Sequence, residues 1–150
     1  MISRAGTVLG IRKGPYVYFI VKGRYVYIGE TQDIPVSRWS SHLIPTGSFS
    51  VKLRQIDDEI FDKCIQLQFY AYFCNRIADS TRNEEQRVVT QYVEHLLHTQ
   101  FMCHRSLGPK FELISDTKRT APSRCRYDWA PNLAFMILEA FASDIKDLSA

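Results

Sequence analysis

The sequence predicts an α+β fold, in which a small antiparallel sheet of about three strands is flanked by helices. Two stretches rich in aromatic and β-branched residues, 16–21 and 24–28, stand on either side of Lys22-Gly23 and predict a β-hairpin. Residues 64–73 alternate between apolar side chains and Gln or Tyr, which predicts a third strand with one face on a core. Apolar stripes at helical spacing over 82–99 and 131–148 predict two long helices.

The remaining elements follow in chain order. Residues 7–11 are suited to a short edge strand. Asp33 is expected to cap a helix that has Pro35 in its first turn, and the proline and glycine of 44–48 end that helix. Residues 51–61 carry apolar positions three and four apart and predict a second helix, while 75–81 is expected to be a polar link. Thr81 and Glu84 have the spacing of a capping box before the helix at 82–99.

The hairpin gathers phenol side chains on one side of the sheet. Alternation places Tyr16, Tyr18 and Ile20 on one face of the first strand. Tyr25 and Tyr27 share a face of the second strand. Arg38 and His42 are four residues apart on the helix that follows, so they point the same way. The two strands and the helix therefore carry phenol, guanidinium and imidazole groups within one short window.

This window resembles the core of the GIY-YIG nuclease family. The second family motif is present as Tyr27-Ile28-Gly29. The first is present in part, as Tyr16-Val17-Tyr18, with a tyrosine where the family has its leading glycine. Arg38 and His42 match the family's order and spacing on the next helix. The resemblance covers about residues 15–100, so we expect a GIY-YIG-like core at 1–101 and a C-terminal extension of strand, loop and helix, 102–150, packed on the same domain.

The resemblance implies a metal-dependent DNA endonuclease that hydrolyses phosphodiester bonds with one Mg²⁺ or Mn²⁺ ion per active site. Tyr18 would orient or deprotonate the attacking water, and Tyr27 would hydrogen-bond the water or the phosphate. Arg38 suits the non-bridging phosphate oxygens because its guanidinium is planar. His42 would move a proton or contact phosphate. Gly29 would let the strand end approach the substrate closely.

A single helix-borne glutamate holds the metal in this family, and the sequence offers two candidates. Glu85 is followed at three, four and seven residues by Val88, Val89 and Tyr92, which matches the family pattern and predicts that Glu85 faces the sheet. Glu94 is the competitor, but His98 falls where that pattern has an apolar residue. We therefore expect Glu85 to be the ligand. The alternative reading of Glu85 is a first-turn acid favoured by the helix dipole.

The segment after residue 101 changes in character. Residues 111–114 are suited to a strand, and 117–126 is a loop rich in Ser, Thr and Pro. A solvated loop and a phosphate-contacting loop explain its charges equally well. Its candidate substrate-binding cations are Lys118, Arg119, Arg124 and Arg126. The wide apolar face of the helix at 131–148 predicts core packing, with homodimerisation as the alternative.

Composition narrows the class of protein without defining the partner. The 150 residues are 45% hydrophobic and 23% charged, with a net charge of +3, which permits nucleic acid binding but does not require it. No apolar run has the length of a membrane span or of a secretion signal. The four cysteines lack paired spacing. We expect a cytoplasmic or nucleoid-associated protein that acts on duplex or branched DNA, away from membranes.

Two alternatives to a sequence-specific endonuclease follow from the same residues. One is a nucleic-acid-binding module that keeps the fold without cutting, which the missing leading glycine favours. The other is a repair or resolution nuclease that acts on DNA structure. The recognition site, the cut pattern, the choice between DNA and RNA and the oligomeric state are not encoded in these motifs.

Overall fold

The computed structural model describes the backbone at residues 3–4, 12–57, 59, 67–116 and 127–149, and side chains at 12–57, 59, 67–116 and 127–145. Five strands form one sheet in the order β1-β4-β2-β3-β5. The strands are β1 (Ser3–Arg4), β2 (Tyr16–Lys22), β3 (Tyr25–Thr31), β4 (Leu67–Phe73) and β5 (Glu112–Leu113). The helices are α1 (Pro35–Leu43), α2 (Ser48–Ile56), α3 (Asn75–Ser80), α4 (Asn83–Phe101) and α5 (Ala130–Ser149).

Strand β2 is the centre of the sheet because it pairs along its whole length with both β3 and β4. Both pairings are antiparallel, and they place Tyr18 opposite Gly29 on one side and Ala71 on the other. Gly23 has φ 59° in the turn that joins β2 to β3, a backbone conformation that glycine adopts without a steric penalty. The predicted hairpin and third strand are therefore confirmed.

The two faces of the sheet are covered by different helices. Trp39 of α1 and Phe49 of α2 pack on the face that carries Tyr16, Tyr18 and Ile20. The opposite face packs against α4 and α5 in a second apolar cluster. The prediction that β4 has only one face on a core is wrong, because Tyr70 and Tyr72 are also buried, under α5. An alternating strand with tyrosines as its polar partners can thus be buried on both faces, since phenols are largely apolar.

The α+β class is confirmed in its coarse form, and the sheet is larger than expected. The additional strands β1 and β5 have two residues each, and β5 joins β3 in parallel, which makes the sheet mixed. The predicted strand at 7–11 lies outside the described residues. The predicted polar link at 75–81 contains the six-residue helix α3.

Helix starts differ from the predicted caps. Ile34, not Asp33, is the N-cap of α1, and Pro35 is its first residue, as expected. Arg82 is the N-cap of α4 and makes no side-chain cap bond. The predicted capping box is wrong because the Thr81 hydroxyl donates instead to the Ile77 carbonyl, 2.6 Å away, at the end of α3. Short polar side chains often bond backward to a preceding turn in this way.

Helix α5 belongs to the same core as the sheet. The ring of Phe141 stacks on Phe19 of β2 at a centroid distance of 4.1 Å and meets Tyr70 edge-on. Phe141 is fully buried, whereas Phe135 on the same helix is 51% exposed. None of the helices in the described part of the chain is long and apolar enough to span a bilayer.

We predict that Phe141→Ala lowers the free energy of unfolding by about 3 to 5 kcal/mol, since it leaves a cavity between α5 and β2. Phe135→Ala is the matched control and should cost less than about 1 kcal/mol. Urea unfolding followed by circular dichroism measures both. Equal losses in the two variants would show that α5 does not pack on β2 through Phe141.

Candidate active site

Tyr18 lies at the centre of the candidate site, and Gly29 makes its position possible. The two residues are paired across β2 and β3. A Cβ atom at residue 29 would overlap the ring and hydroxyl of Tyr18. The Tyr18 side chain therefore lies across the space that any other residue at 29 would fill. Gly29 thus gives room to the Tyr18 ring, and its predicted role in substrate approach stays a prediction.

Helix α1 brings two more groups to the Tyr18 hydroxyl. His42 is 3% exposed, and its Nε2 lies 2.7 Å from the Tyr18 oxygen. The backbone N–H of Phe49 donates to His42 Nδ1 at 3.4 Å, which leaves the proton of the neutral ring on Nε2. His42 Nε2–H then donates to Tyr18. The Arg38 guanidinium, one turn earlier, is also within hydrogen-bonding reach of the Tyr18 hydroxyl.

Tyr27 completes the aromatic side of the site. Its ring lies 4.8 Å from the His42 ring and 6.0 Å from Phe49, between centroids. The Ser48 side chain lies within hydrogen-bonding reach of the Tyr27 hydroxyl. The Lys52 ammonium lies 5.7 Å from the centre of the Tyr27 ring and forms an ion pair with Asp116 at 3.6 Å. Tyr18, Tyr27, Arg38 and His42 therefore converge, as the sequence predicts.

The two candidate metal ligands lie on different sides of α4. They are nine residues apart, which is two and a half turns, so they face opposite directions roughly 13 Å apart. Glu94 is half-buried and close enough to both Tyr18 and Tyr27 to raise the pKa of each phenol. Glu85 is exposed, and its carboxylate accepts a hydrogen bond from Tyr127 at 2.8 Å. The prediction that Glu85 faces the sheet is therefore wrong.

A chain of hydrogen bonds fixes the turn of α4 that carries Glu94. The Ile28 N–H of β3 donates to the Ser115 hydroxyl at 2.8 Å. Ser115 Oγ is 2.8 Å from His98 Nε2, and His98 Nδ1 is 2.8 Å from the Glu94 carbonyl oxygen. Because that carbonyl only accepts, Nδ1 carries the proton and Nε2 accepts from Ser115. His98, which argued against Glu94 in the sequence, thus holds Glu94 beside β3.

Burial controls the protonation of this site. Burial raises the pKa of Tyr18, with a further rise from Tyr27, and these effects outweigh the attraction of Arg38. Burial and Glu94 likewise raise the pKa of Tyr27. Burial and the nearby Arg38 lower the pKa of His42 from 6.5 to about 4. At neutral pH the cluster therefore holds a neutral imidazole and neutral phenols.

The other predicted residues are placed apart from this cluster or fall outside the described part of the chain. Lys118, Arg119, Arg124 and Arg126 all lie in the undescribed stretch 117–126. Tyr16, which replaces the family's leading glycine, is buried against Phe73, and its hydroxyl donates to the Arg12 carbonyl at 2.6 Å. It fills a core position on the same face as Tyr18.

Helix α4 carries a polar stripe that is not among the sequence predictions. Its members recur at i, i+4, i+7 and i+11, a spacing that places them on one face of a helix. They are Arg87, Gln91, Glu94 and His98. Arg87 and Gln91 both act on Glu30, the residue after the second motif. The helical spacing of these polar residues could have indicated a second functional face of α4, but the apolar stripe of the same helix is the stronger pattern.

Three comparisons with known proteins returned no match. They were a scan against protein-family models, a search of curated proteins and a search of solved structures. The function proposed below therefore rests on the motif residues and on the geometry of the site.

We predict that acid destabilises the protein partly through His42. Imidazole in the unfolded chain titrates near pH 6.5, whereas folded His42 titrates near pH 4. The unfolded state therefore binds the proton first, and stability falls as the pH drops from 6.5 to 4, by up to about 3 kcal/mol. His42→Gln should flatten this part of the profile, while the remaining dependence includes His98, whose pKa burial also lowers. Urea unfolding between pH 7.5 and 4.5 tests this, and identical profiles for the two proteins would contradict it.

Proposed function

We propose that this protein is a metal-dependent endonuclease that hydrolyses phosphodiester bonds in DNA by a GIY-YIG-type mechanism. The observation that carries the proposal is the convergence of two tyrosines, an arginine, a histidine and a glutamate from four separate elements. Core packing alone does not require this set, because Arg38 and Glu94 are charged and partly accessible. Together they offer an acid–base group, a phosphate-binding cation and an oxygen ligand at one place.

Tyr18 is the proposed base for the attacking water. Its oxygen lies within reach of donors from His42 and Arg38. Two donors aimed at one phenol oxygen stabilise the phenolate. The phenolate is the form that can take a proton from water as the water attacks phosphorus. Burial opposes this ionisation in the resting site, so the base is generated only when positive charge is added nearby.

Arg38 and Tyr27 are the proposed phosphate ligands. Arg38 is the most accessible member of the cluster, and its planar guanidinium can donate to two non-bridging oxygens at once. Tyr27 keeps its hydroxyl near Arg38 and Glu94. His42 is held neutral, so its part is to orient and donate to Tyr18 rather than to contribute a charge. These roles place the scissile phosphate between α1 and the Glu94 turn of α4.

Glu94 is the proposed ligand of a divalent cation. A carboxylate is an oxygen donor of the kind that Mg²⁺ and Mn²⁺ prefer, and the charge of Glu94 acts on both Tyr18 and Tyr27. No group of three or more His, Cys, Asp or Glu side chains converges within the described residues, so a single carboxylate with water and phosphate oxygens would complete the shell. When bound, the ion would supply charge neutralisation at the phosphate and leaving oxygen, and it would oppose the contribution of Glu94 to the raised pKa values of Tyr18 and Tyr27. We therefore assign to Glu94 the role that the family pattern gave to Glu85.

We predict that Glu94→Gln abolishes Mg²⁺-dependent nicking of supercoiled plasmid, because it removes the anionic ligand. Glu85→Gln is the matched control and should retain wild-type nicking, since its amide still accepts from Tyr127. Far-ultraviolet circular dichroism checks that both variants fold. Loss of nicking in Glu85→Gln with full activity in Glu94→Gln would return the metal site to Glu85.

Two other results decide between the remaining functions. If wild type binds plasmid and branched DNA but cuts neither with Mg²⁺ or Mn²⁺, the protein is a binding module. If it cuts flaps or branches and leaves supercoiled plasmid intact, it acts on DNA structure. In that case the Glu94 and Glu85 comparison is repeated on the branched substrate.

A further inference from the structure

A polar cavity of about 450 Å³ adjoins the candidate site at the end of β3. It lies between the start of α1 and the first half of α4, and Arg38 belongs to both the cavity and the Tyr18 cluster. The cavity is therefore continuous with the place proposed for the scissile phosphate. The residues that line it are Lys13, Glu30, Thr31, Gln32, Asp33, Arg38 and Arg87.

The cations that line this cavity outnumber its carboxylates by three to two. Within the described residues, Lys13, Arg38 and Arg87 make no salt bridge. One of the two carboxylates, that of Asp33, already accepts from the Ile34 N–H at 2.8 Å. The other belongs to Glu30, which is partly buried, with an Oε2 atom that has no hydrogen-bond partner. Arg87 and Arg38 interact electrostatically with Glu30, and one positive charge remains in excess, which favours an anion in the cavity.

The position of Arg87 indicates which anion this is. Arg87 precedes Glu94 by seven residues, so the two lie on the same face of α4, roughly 10 Å apart at about 1.5 Å per residue. Nucleotides in one strand of a duplex follow each other at about 3.4 Å along the axis. A strand that runs along α4 with its scissile phosphate at Glu94 would therefore bring another phosphate, a few nucleotides away at most, to Arg87.

We propose that this cavity binds an internucleotide phosphate of the same strand, close to the scissile one, through Arg87 and Lys13. The proposal rests on the proposed function for the location of the scissile phosphate. Arg38 stands between the two phosphates and contacts the scissile one. Such a subsite fixes the direction in which the strand runs along α4, and it adds affinity without reading a base.

The test is the salt dependence of DNA binding in EDTA, where no cleavage occurs. The probe is a fluorescein-labelled duplex of 20 base pairs, followed by anisotropy between 50 and 300 mM KCl. Arg87→Gln should lower the slope of log K against log salt by about one, and Lys13→Gln should have a similar effect. Arg87→Lys keeps the charge and should keep most of the slope.

The matched control is Arg24→Gln, which makes the same change in net charge. Arg24 is exposed and pairs with Glu112 at the hairpin turn, six residues along β3 from Glu30 and about 20 Å away. The slope of log K against log salt for Arg24→Gln should equal that of wild type. An unchanged slope in Arg87→Gln, or an equal drop in Arg24→Gln, would overturn the subsite.

Three further outcomes distinguish a DNA-backbone subsite from a site for free phosphate and from failure of the proposed nuclease. Inorganic phosphate that binds wild type but not Arg87→Gln, with no change in the DNA slope, would make the cavity a site for free phosphate and overturn a backbone subsite. DNA binding with the predicted slopes but no cleavage in Mg²⁺ would support the subsite while the proposed nuclease fails. No binding of the duplex by wild type would overturn both.

Discussion

The close contact between Tyr18 and Gly29 is the constraint on which the site depends. The central strand β2 carries the phenol, and its neighbour β3 must lack a side chain opposite it. The ring then lies across β3, which brings its hydroxyl to His42 and Arg38 on the helix beyond. A larger residue at position 29 would displace the ring, and α1 would lose the hydroxyl that its His42 contacts.

Elements from both faces of the sheet come together at the second half of β3. β5 pairs only with Tyr25 and Val26, and after it Ser115 continues along β3 as a side-chain acceptor for the Ile28 N–H. Helix α4 packs on α5 and on β3, and His98 ties it to β3 through Ser115. Glu94 can therefore reach tyrosines whose rings belong to the opposite face of the sheet. An edge of this kind is a common location for functional groups, because it is supported on one side and accessible on the other.

Much of the fold was predictable because its signals are local. Alternation assigned the two faces of β2, and the glycine turn placed the hairpin. The convergence of Tyr18, Tyr27, Arg38 and His42 was also predictable, since the four lie within one short window of hairpin and helix. The burial of both faces of β4 was not predictable from the sequence, because tyrosine fits a solvated or a buried surface equally well.

The choice between Glu85 and Glu94 could not be made from the sequence. Both stand before apolar residues at helical spacing, and the pattern preferred Glu85 because His98 interrupts the stripe after Glu94. A polar residue fits at position 98 because the His98 ring bonds to Ser115, which is 17 residues away, and to the Glu94 carbonyl one turn earlier. Contacts between distant segments are invisible to a periodic pattern. Glu85 likewise contacts a distant segment, since its carboxylate accepts a hydrogen bond from the Tyr127 hydroxyl.

The most direct test of the site is a crystal structure of the protein grown with Mn²⁺, with the ion located by anomalous scattering. If Glu94 is the ligand, one peak is expected at about 2.1 Å from its carboxylate oxygen, on the side that faces Tyr18 and Tyr27. A peak at Glu85, or a fully soaked crystal with no peak near Glu94, would contradict this assignment.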